Sequence, residues 1–374
     1  MRLHVISTFL RLLDPDAITM GRDFNVIEAM IENSLVKSRY WGEEVMSMWV
    51  RLKSVTRRKS FKIILAFLFV IVVLHVVPVP PVGEPVESLA REHDKFVVVD
   101  GVKVRYVEVS GNGNLTFVLL HGFGASVFSW REVLSNLSNY GRVIAFDRPG
   151  FGLTERVDPA SLSFNPYTAE GQARITYELL KKLNVSKAVL VGHSAGGGLA
   201  LLITLEHPEL VDALILVAPA WGARQNSLLE NILYSLPLAD KYGPLIIRGF
   251  VSQLEQILYR AWYNKSKLTE DVVEGYKYPL RAKDWDRGLY WLIKHGGFPE
   301  ISNSLKNVKL PILIVHGVND EIVLLNSSLE LVSLLSNESR PRLVTMSECG
   351  HLPHEEKPDE FLKIVEEFIK EFTR

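Results

Sequence analysis

Apolar positions along this chain fall into three regimes, and each predicts a different kind of element. Residues 63–77 are apolar except for His75, the pattern of a helix with no polar face. From Phe96 the pattern shortens. Residues 96–99 and 102–109 alternate apolar and polar positions on either side of Asp100-Gly101, a dipeptide suited to a type I′ turn, and so predict an antiparallel hairpin. Runs of Val, Ile and Leu follow at 115–120, 142–146, 187–191, 213–218, 310–316 and 342–346, most of them separated by helical spacing. Strands this uniformly apolar are buried on both faces, so the predicted class is α/β: a mostly parallel sheet with helices on both faces. Between 220 and 307 the strand rhythm stops, and helical, aromatic-rich stretches such as 268–294 take its place.

The first regime is set off by charge. Arg51, Lys53, Arg57, Arg58, Lys59 and Lys62 crowd before the apolar run, while prolines and the acidic Glu84 and Glu87 follow it. This is the positive-inside pattern, and it predicts a transmembrane signal anchor over 61–80 with the N-terminus in the cytoplasm and everything after Pro78 outside. A run of about 15 residues falls short of the roughly 20 that a hydrocarbon core needs, so local thinning or snorkelling by Lys62 must help. A cleaved signal peptide, giving a secreted protein, has a core of similar length, but the nearest small-residue cleavage pattern, Ser88-Leu89-Ala90, lies well past the run. A buried helix of a soluble domain suits the basic flank least. Residues 1–60 read as a cytoplasmic tail or as the product of too early a start, with Met46 or Met48 as the true one. Residues 81–95 read as a linker, 96–219 and 308–374 as the core, and 220–307 as an inserted helical region.

A formal net charge of −1 gives no electrostatic case for a nucleic-acid partner. The single cysteine, Cys349, excludes an internal disulfide and a zinc site of several thiolates, and it reads as a small, semi-buried residue. Asn-x-Ser/Thr triplets begin at Asn114, Asn136, Asn184, Asn264, Asn326 and Asn337, all after the apolar run and in predicted loops or element ends. Glycosylation outside a membrane suits that placement, and chance triplets in a Ser-rich chain give the same pattern.

In parallel sheets, ligand sites gather at the carboxyl ends of the strands, so the chemistry belongs in the loops after these runs. One such loop reads Gly192-His193-Ser194-Ala195-Gly196, between an apolar run and a small-residue helix. That is the setting of a nucleophile elbow, where side chains at Gly192 and Gly196 would strike the neighbouring strand and helix. A serine is a poor nucleophile until a base takes its proton; His351, in Glu348-Cys349-Gly350-His351, suits that role, and Asp320, in Gly317-Val318-Asn319-Asp320, is placed to hold the other imidazole nitrogen. The backbone N–H groups of Ala195 and of Phe123, in His121-Gly122-Phe123-Gly124, are the candidate donors for an oxyanion. Asp147, in the loop Asp147-Arg148-Pro149-Gly150-Phe151-Gly152, reads as a turn-fixing residue and only secondarily as the acid. His121 reads as a loop brace, His354 as a rim residue, and His193 as lining the turn or packing beneath the sheet. Trp221, Trp262, Tyr263, Trp285 and Trp291 read as core of the inserted region before substrate contacts.

From about Val97 to its end the chain resembles the α/β-hydrolase fold superfamily, on the order and spacing of HGFG, DRPGFG, GHSAGG, HGVND and the late GH before a final helix. The resemblance implies an eight-stranded, mostly parallel sheet with a helical lid inserted after strand six. It implies a hydrolase with no metal or organic cofactor. Relatives that open epoxides or remove halide carry aspartate at the elbow, so Ser194 argues for an acyl-enzyme and a carboxylic ester, lipid-like or otherwise apolar. Carbon–carbon bond hydrolysis and a non-catalytic ligand-binding role are the alternatives. The partners expected are a small-molecule or lipid ester and, through the N-terminal helix, a membrane.

Overall fold

The computed structural model describes Ser47, Arg51 and residues 59–373 apart from 224, 225 and 250. Nearly all of the expected tail, residues 1–60, lies outside the described residues. The chain divides into two compact units, Met1–Pro78 and Val79–Arg374.

In the first unit, α1 (Lys59–Val76) is a helix of 18 residues, about 27 Å at 1.5 Å per residue. Ile63, Phe67, Phe69 and Val72 on it are exposed. Among the described residues no helix is long and apolar enough to cross a membrane. The transmembrane span expected over 61–80 is therefore not shown. The helix stops at Val76, ahead of Pro78, and its first turn is polar at Lys59, Ser60 and Lys62, which leaves a stretch well short of the roughly 30 Å of hydrocarbon.

The second unit is built on an eight-stranded sheet in the order β1-β2-β4-β3-β5-β6-β7-β8. The strands are β1 (Lys95–Val99), β2 (Val102–Val109), β3 (Leu115–Leu120), β4 (Gly141–Phe146), β5 (Ala188–His193), β6 (Val211–Val217), β7 (Ile312–Gly317) and β8 (Arg342–Met346). Strands β1 and β2 pair antiparallel, as do β2 and β4, and every pairing from β4 across to β8 is parallel. Val99 faces Val102 across Asp100 and Gly101, whose φ angles of 47° and 87° are the two positive values a type I′ turn requires.

Each apolar run serves two cores at once, because successive side chains leave opposite faces of a strand. On β3, Val118 and Leu120 join one cluster with Leu199 and Ile203, while Phe117 and Leu119 join another with Phe361 and Val365. Helices cover both faces: α2 (Leu134–Leu137), α3 (Ala169–Lys182) and α4 (Ala195–Glu206) come before the end of β6. Between β6 and β7 lie α5 (Leu228–Ser235), α6 (Ala239–Gly249), α7 (Val251–Ala261), α8 (Glu270–Lys277) and α9 (Trp285–His295), in the inserted region the sequence marks out. The chain closes with α10 (Leu325–Leu334), α11 (Pro353–Glu356) and α12 (Pro358–Phe372). On α12, Phe361, Ile364, Val365, Phe368 and Ile369 are buried at helical spacing, at roughly 1.5–3 kcal/mol apiece.

Residues 82–89 pack along the inserted helices. Glu84 N–H donates to the Arg281 carbonyl (2.7 Å), Lys283 N–H to the Glu84 carbonyl (2.7 Å), and Tyr278 Oη to the Leu89 carbonyl (2.8 Å). Val86 and Leu89 are buried beside Leu153 and Ala282.

Candidate active site

Strand β5 runs directly into Ser194, which stands at φ 51° and ψ −122° as the residue before α4. Positive φ at a non-glycine residue is strained, and here the surroundings enforce it. Ser194 N–H donates to the Val217 carbonyl (2.9 Å), and its own carbonyl accepts from Gly197 (2.8 Å) and Ala220 (3.0 Å). The flanking glycines are sterically required: a Cβ at Gly192 would lie 2.5 Å from the Gly196 carbonyl oxygen, and one at Gly196 only 1.9 Å from that of Leu120. A Cβ at Gly122 would come within 3.1 Å of Ser194 Cβ, so the HGFG turn passes immediately beside the serine. That turn carries Phe123, half exposed, and Ala195 opens α4, where the first N–H groups of a helix have no intrahelical acceptor.

His351 Nδ1 donates to Asp320 Oδ2 at 2.7 Å. The imidazole backbone is held on both sides: His351 N–H donates to the Ala261 carbonyl (2.7 Å), and His193 Nε2 donates to the His351 carbonyl (2.9 Å). Asp320 accepts further from the N–H groups of Ile322 (2.8 Å) and Val323 (2.9 Å), and His316 Nε2 lies 3.3 Å from its Oδ2. Burial pushes the Asp320 carboxyl up, but the bonds from His316, His351 and Val323 outweigh it and hold the group well below the usual carboxylate range. Asp320 is thus an anion at any pH near neutral.

Ser194 and His351 line one cavity of about 170 Å³ with Phe123, Leu254, Leu258 and Leu352. No hydrogen bond joins Ser194 Oγ to His351 among the described residues; hydroxyl and imidazole share the cavity unlinked. Phe123, Leu254 and Ile257 also wall a second, larger cavity of about 630 Å³, whose lining from α5, α6, α7 and α9 includes no charged side chain. Asp147 is elsewhere. Its carboxylate accepts from the N–H groups of Val127 and Leu153, both at 2.7 Å, and from Arg105 (3.3 Å), and it braces two loops. His121 does the same between its own turn and the next, Nδ1 donating to the Gly122 carbonyl (2.8 Å) and Nε2 accepting from Arg148 N–H (3.1 Å).

Residues 116–358 match the family model for the α/β-hydrolase fold. The chain belongs to the α/β-hydrolase fold family. A relative from Bacillus subtilis (strain 168), the uncharacterized hydrolase YugF, is 30% identical over 73% of this chain and 96% of its own length. The 2-hydroxy-6-oxo-6-(2'-aminophenyl)hexa-2,4-dienoic acid hydrolase of Metapseudomonas resinovorans is 28% identical, over 74% of this chain and 90% of its own. Among solved structures, the meta-cleavage product hydrolase CumD from Pseudomonas fluorescens IP01 superposes with a TM-score of 0.59 at 26% identity, covering 74% of this chain and 97% of that one.

Two residues of this α/β hydrolase that the sequence reading places at the surface or passes over lie inside. His354, expected at the rim, is fully buried, with Nε2 3.0 Å from Ser129 Oγ and its ring 4.6 Å from that of Trp130. It is the second residue of α11, after Pro353. The next residue, Glu355, is buried in a cluster with Ser129 (2.6 Å), Arg131 (2.5 Å) and Tyr276 of the insertion. Cys349, expected half-buried, is fully buried, and burial pushes its thiol up to about 12.

Burial holds three imidazoles neutral in this hydrolase: His121, with Arg148 adding to the effect; His193, with His351 adding; and His354, lowered to about 3 with Arg131 adding. In the unfolded chain each takes up a proton below about 6.5, whereas in the folded protein it does not. Their contribution to stability is therefore complete above about pH 6.5 and is lost as the pH falls toward their lowered values. The slope is at most about 1.4 kcal/mol per pH unit for each. Thermal melts should show a marked drop in Tm between pH 7.5 and 4.5, and His354→Phe, which keeps an aromatic ring against Trp130, should reduce that drop. An undiminished drop in the variant would contradict the assignment of the neutral, buried state.

Proposed function

We propose that this chain is a serine carboxylesterase that cleaves esters of apolar acyl groups through an acyl-enzyme on Ser194. The observation that carries the reading is the strained Ser194 in one cavity with an imidazole whose far nitrogen is bonded to a permanent anion. His351 Nε2 takes the Ser194 Oγ proton as the oxygen attacks the ester carbonyl, and it returns that proton to the departing alcohol. Water, activated the same way, then releases the acid. Asp320 keeps the Nδ1–H tautomer and stabilises the imidazolium. The N–H groups of Phe123 and Ala195 receive the oxyanion, each at about 2.7–4 kcal/mol of barrier.

The relatives favour a second reading, carbon–carbon bond hydrolysis, because the Metapseudomonas resinovorans relative acts on a dienoic acid. Although aimed N–H and O–H donors also serve, a carboxylate substrate is held most strongly by a cation. Of the residues around the two cavities only Lys277 offers a permanent one, and it is paired with Glu255. The uncharged larger cavity, joined to the smaller through shared residues, supports an apolar acyl chain, and α5–α9 are proposed as the lid over it. The test is kcat/KM for p-nitrophenyl butyrate and decanoate against a dienol diketone acid. The ester reading expects the decanoate to lead both others by tenfold or more; a dienol diketone acid turned over faster than either ester transfers the assignment to carbon–carbon cleavage. Failure of a fluorophosphonate probe to label folded protein would favour a binding role.

We further propose that the basic flank and apolar residues 63–77 export the hydrolase unit and retain it as a single-pass anchor, the bilayer thinning to meet the short helix. Fractionation with N-terminal sequencing tests this, and a soluble chain beginning beyond Pro78 identifies a cleaved signal instead.

A further inference from the structure

Sixteen Asn occur in the chain, and six begin an Asn-x-Ser/Thr triplet: Asn114, Asn136, Asn184, Asn264, Asn326 and Asn337. With 28 Ser and 11 Thr in 374 residues, chance supplies about two. All six Asn are exposed. The triplets separate on their third residue, the hydroxyl that completes the acceptor motif. Ser328, third after Asn326, is fully buried and bonded to His316 Nδ1 at 2.7 Å. Ser339, third after Asn337, is also fully buried, its Oγ donating to the Ser336 carbonyl (2.6 Å). Ser266 is exposed but donates to the Asn264 side chain itself (2.7 Å), so that triplet is closed on its own amide. Thr116, Ser138 and Ser186, which complete the triplets of Asn114, Asn136 and Asn184, are all at least partly exposed; Ser138 Oγ donates to the Ser135 carbonyl (2.7 Å) much as Ser339 does to Ser336, so it is burial that sets Ser328 and Ser339 apart.

These three triplets also share a place in the fold. Asn114 directly precedes β3, Asn136 lies shortly before β4, and Asn184 shortly before β5. The three strands are neighbours in the order β4-β3-β5 and run parallel, so all three Asn belong to the segments that enter the sheet at its amino-end edge. Ser194 follows the carboxyl end of β5, on the opposite edge, and no triplet occurs in α5, α6 or α7 around the apolar cavity.

We propose that Asn114, Asn136 and Asn184 are N-glycosylation sites that place glycans on the amino-end face of the sheet, away from Ser194. The donor class is a lipid-linked oligosaccharide. Asn Nδ2 attacks the anomeric carbon, a new N–C bond forms, the bond from that carbon to the lipid phosphate oxygen breaks, and the amide proton leaves with the phosphate. The proposal rests on export of the unit, and it leaves the carboxyl-end face and the route to Ser194 free of sugar.

The test uses full-length protein isolated from its own cells, digested and analysed for glycopeptides by mass spectrometry. Modification is expected on Asn114, Asn136 and Asn184, with Asn264, Asn326 and Asn337 bare. Each of Asn114→Gln, Asn136→Gln and Asn184→Gln should remove one step of electrophoretic mobility and leave ester turnover unchanged. Bare peptides at all three sites overturn the proposal, and so does equal occupancy at Asn264, Asn326 and Asn337. Unglycosylated recombinant protein assayed on the same esters shows separately whether the hydrolase reading stands.

Discussion

Ser194→Ala is expected to lower ester turnover by about a million-fold while leaving the folded structure and Tm nearly unchanged, because loss of the nucleophile alone removes the benefit of base and acid together. Stability is unaffected on physical grounds. The Ser194 hydroxyl makes no hydrogen bond among the described residues, and alanine at φ 51° carries the same strain as serine. The companion variant Ser194→Gly separates the two roles of the position. Glycine adopts this backbone without penalty, so it releases roughly 1–3 kcal/mol of strain, partly offset by about 0.5–1 kcal/mol of added freedom in the unfolded chain. It should therefore be as inactive as the alanine variant but melt higher. Turnover of p-nitrophenyl esters and thermal melts read both effects, and comparable residual turnover in the alanine variant would remove Ser194 from the chemistry.

The sheet was legible because its signals are local. The run 115–120 coincides with β3, 102–109 with β2, and the Asp100-Gly101 turn follows from two residues that tolerate positive φ. The glycines around Ser194 were legible for the same reason, since each answers a steric demand of a turn. What remained hidden depends on long-range packing. His316 supports Asp320 from the end of β7, yet a histidine in an apolar strand carries no sign of whether its ring meets a carboxylate. His354 and Glu355 follow a Pro in a polar stretch that reads as surface, and only α11 folding beneath Ser129 and Trp130 buries them. The apolar run 63–77 gave the helix but not its reach, because helix length is set by where the polar turn and the proline fall.

Asp320→Asn and Asp147→Asn should separate cleanly, and the contrast tests the placement of the acid more strictly than either variant alone. In Asp320→Asn the amide can turn its NH2 toward His351 Nδ1, which fixes the proton on Nε2 and leaves no base facing Ser194. A loss of about 10⁴ in kcat is expected at neutral pH. The fold should survive, because Ile322 and Val323 N–H groups still find an acceptor in the amide oxygen. Asp147→Asn meets a different demand. Its carboxylate receives the N–H of Val127 on one oxygen and that of Leu153 on the other, with Arg105 between them, so an amide must turn its NH2 against one of these donors. An unmet buried N–H costs about 1–3 kcal/mol, and the weakened hold on Arg105 adds to it. Stability should fall by several kcal/mol while kcat in the surviving folded protein changes by less than about tenfold. A severe loss of kcat in the Asp147 variant with a near-normal Asp320 variant would exchange their roles, since only the group that orients the base can lower the rate without loosening the fold.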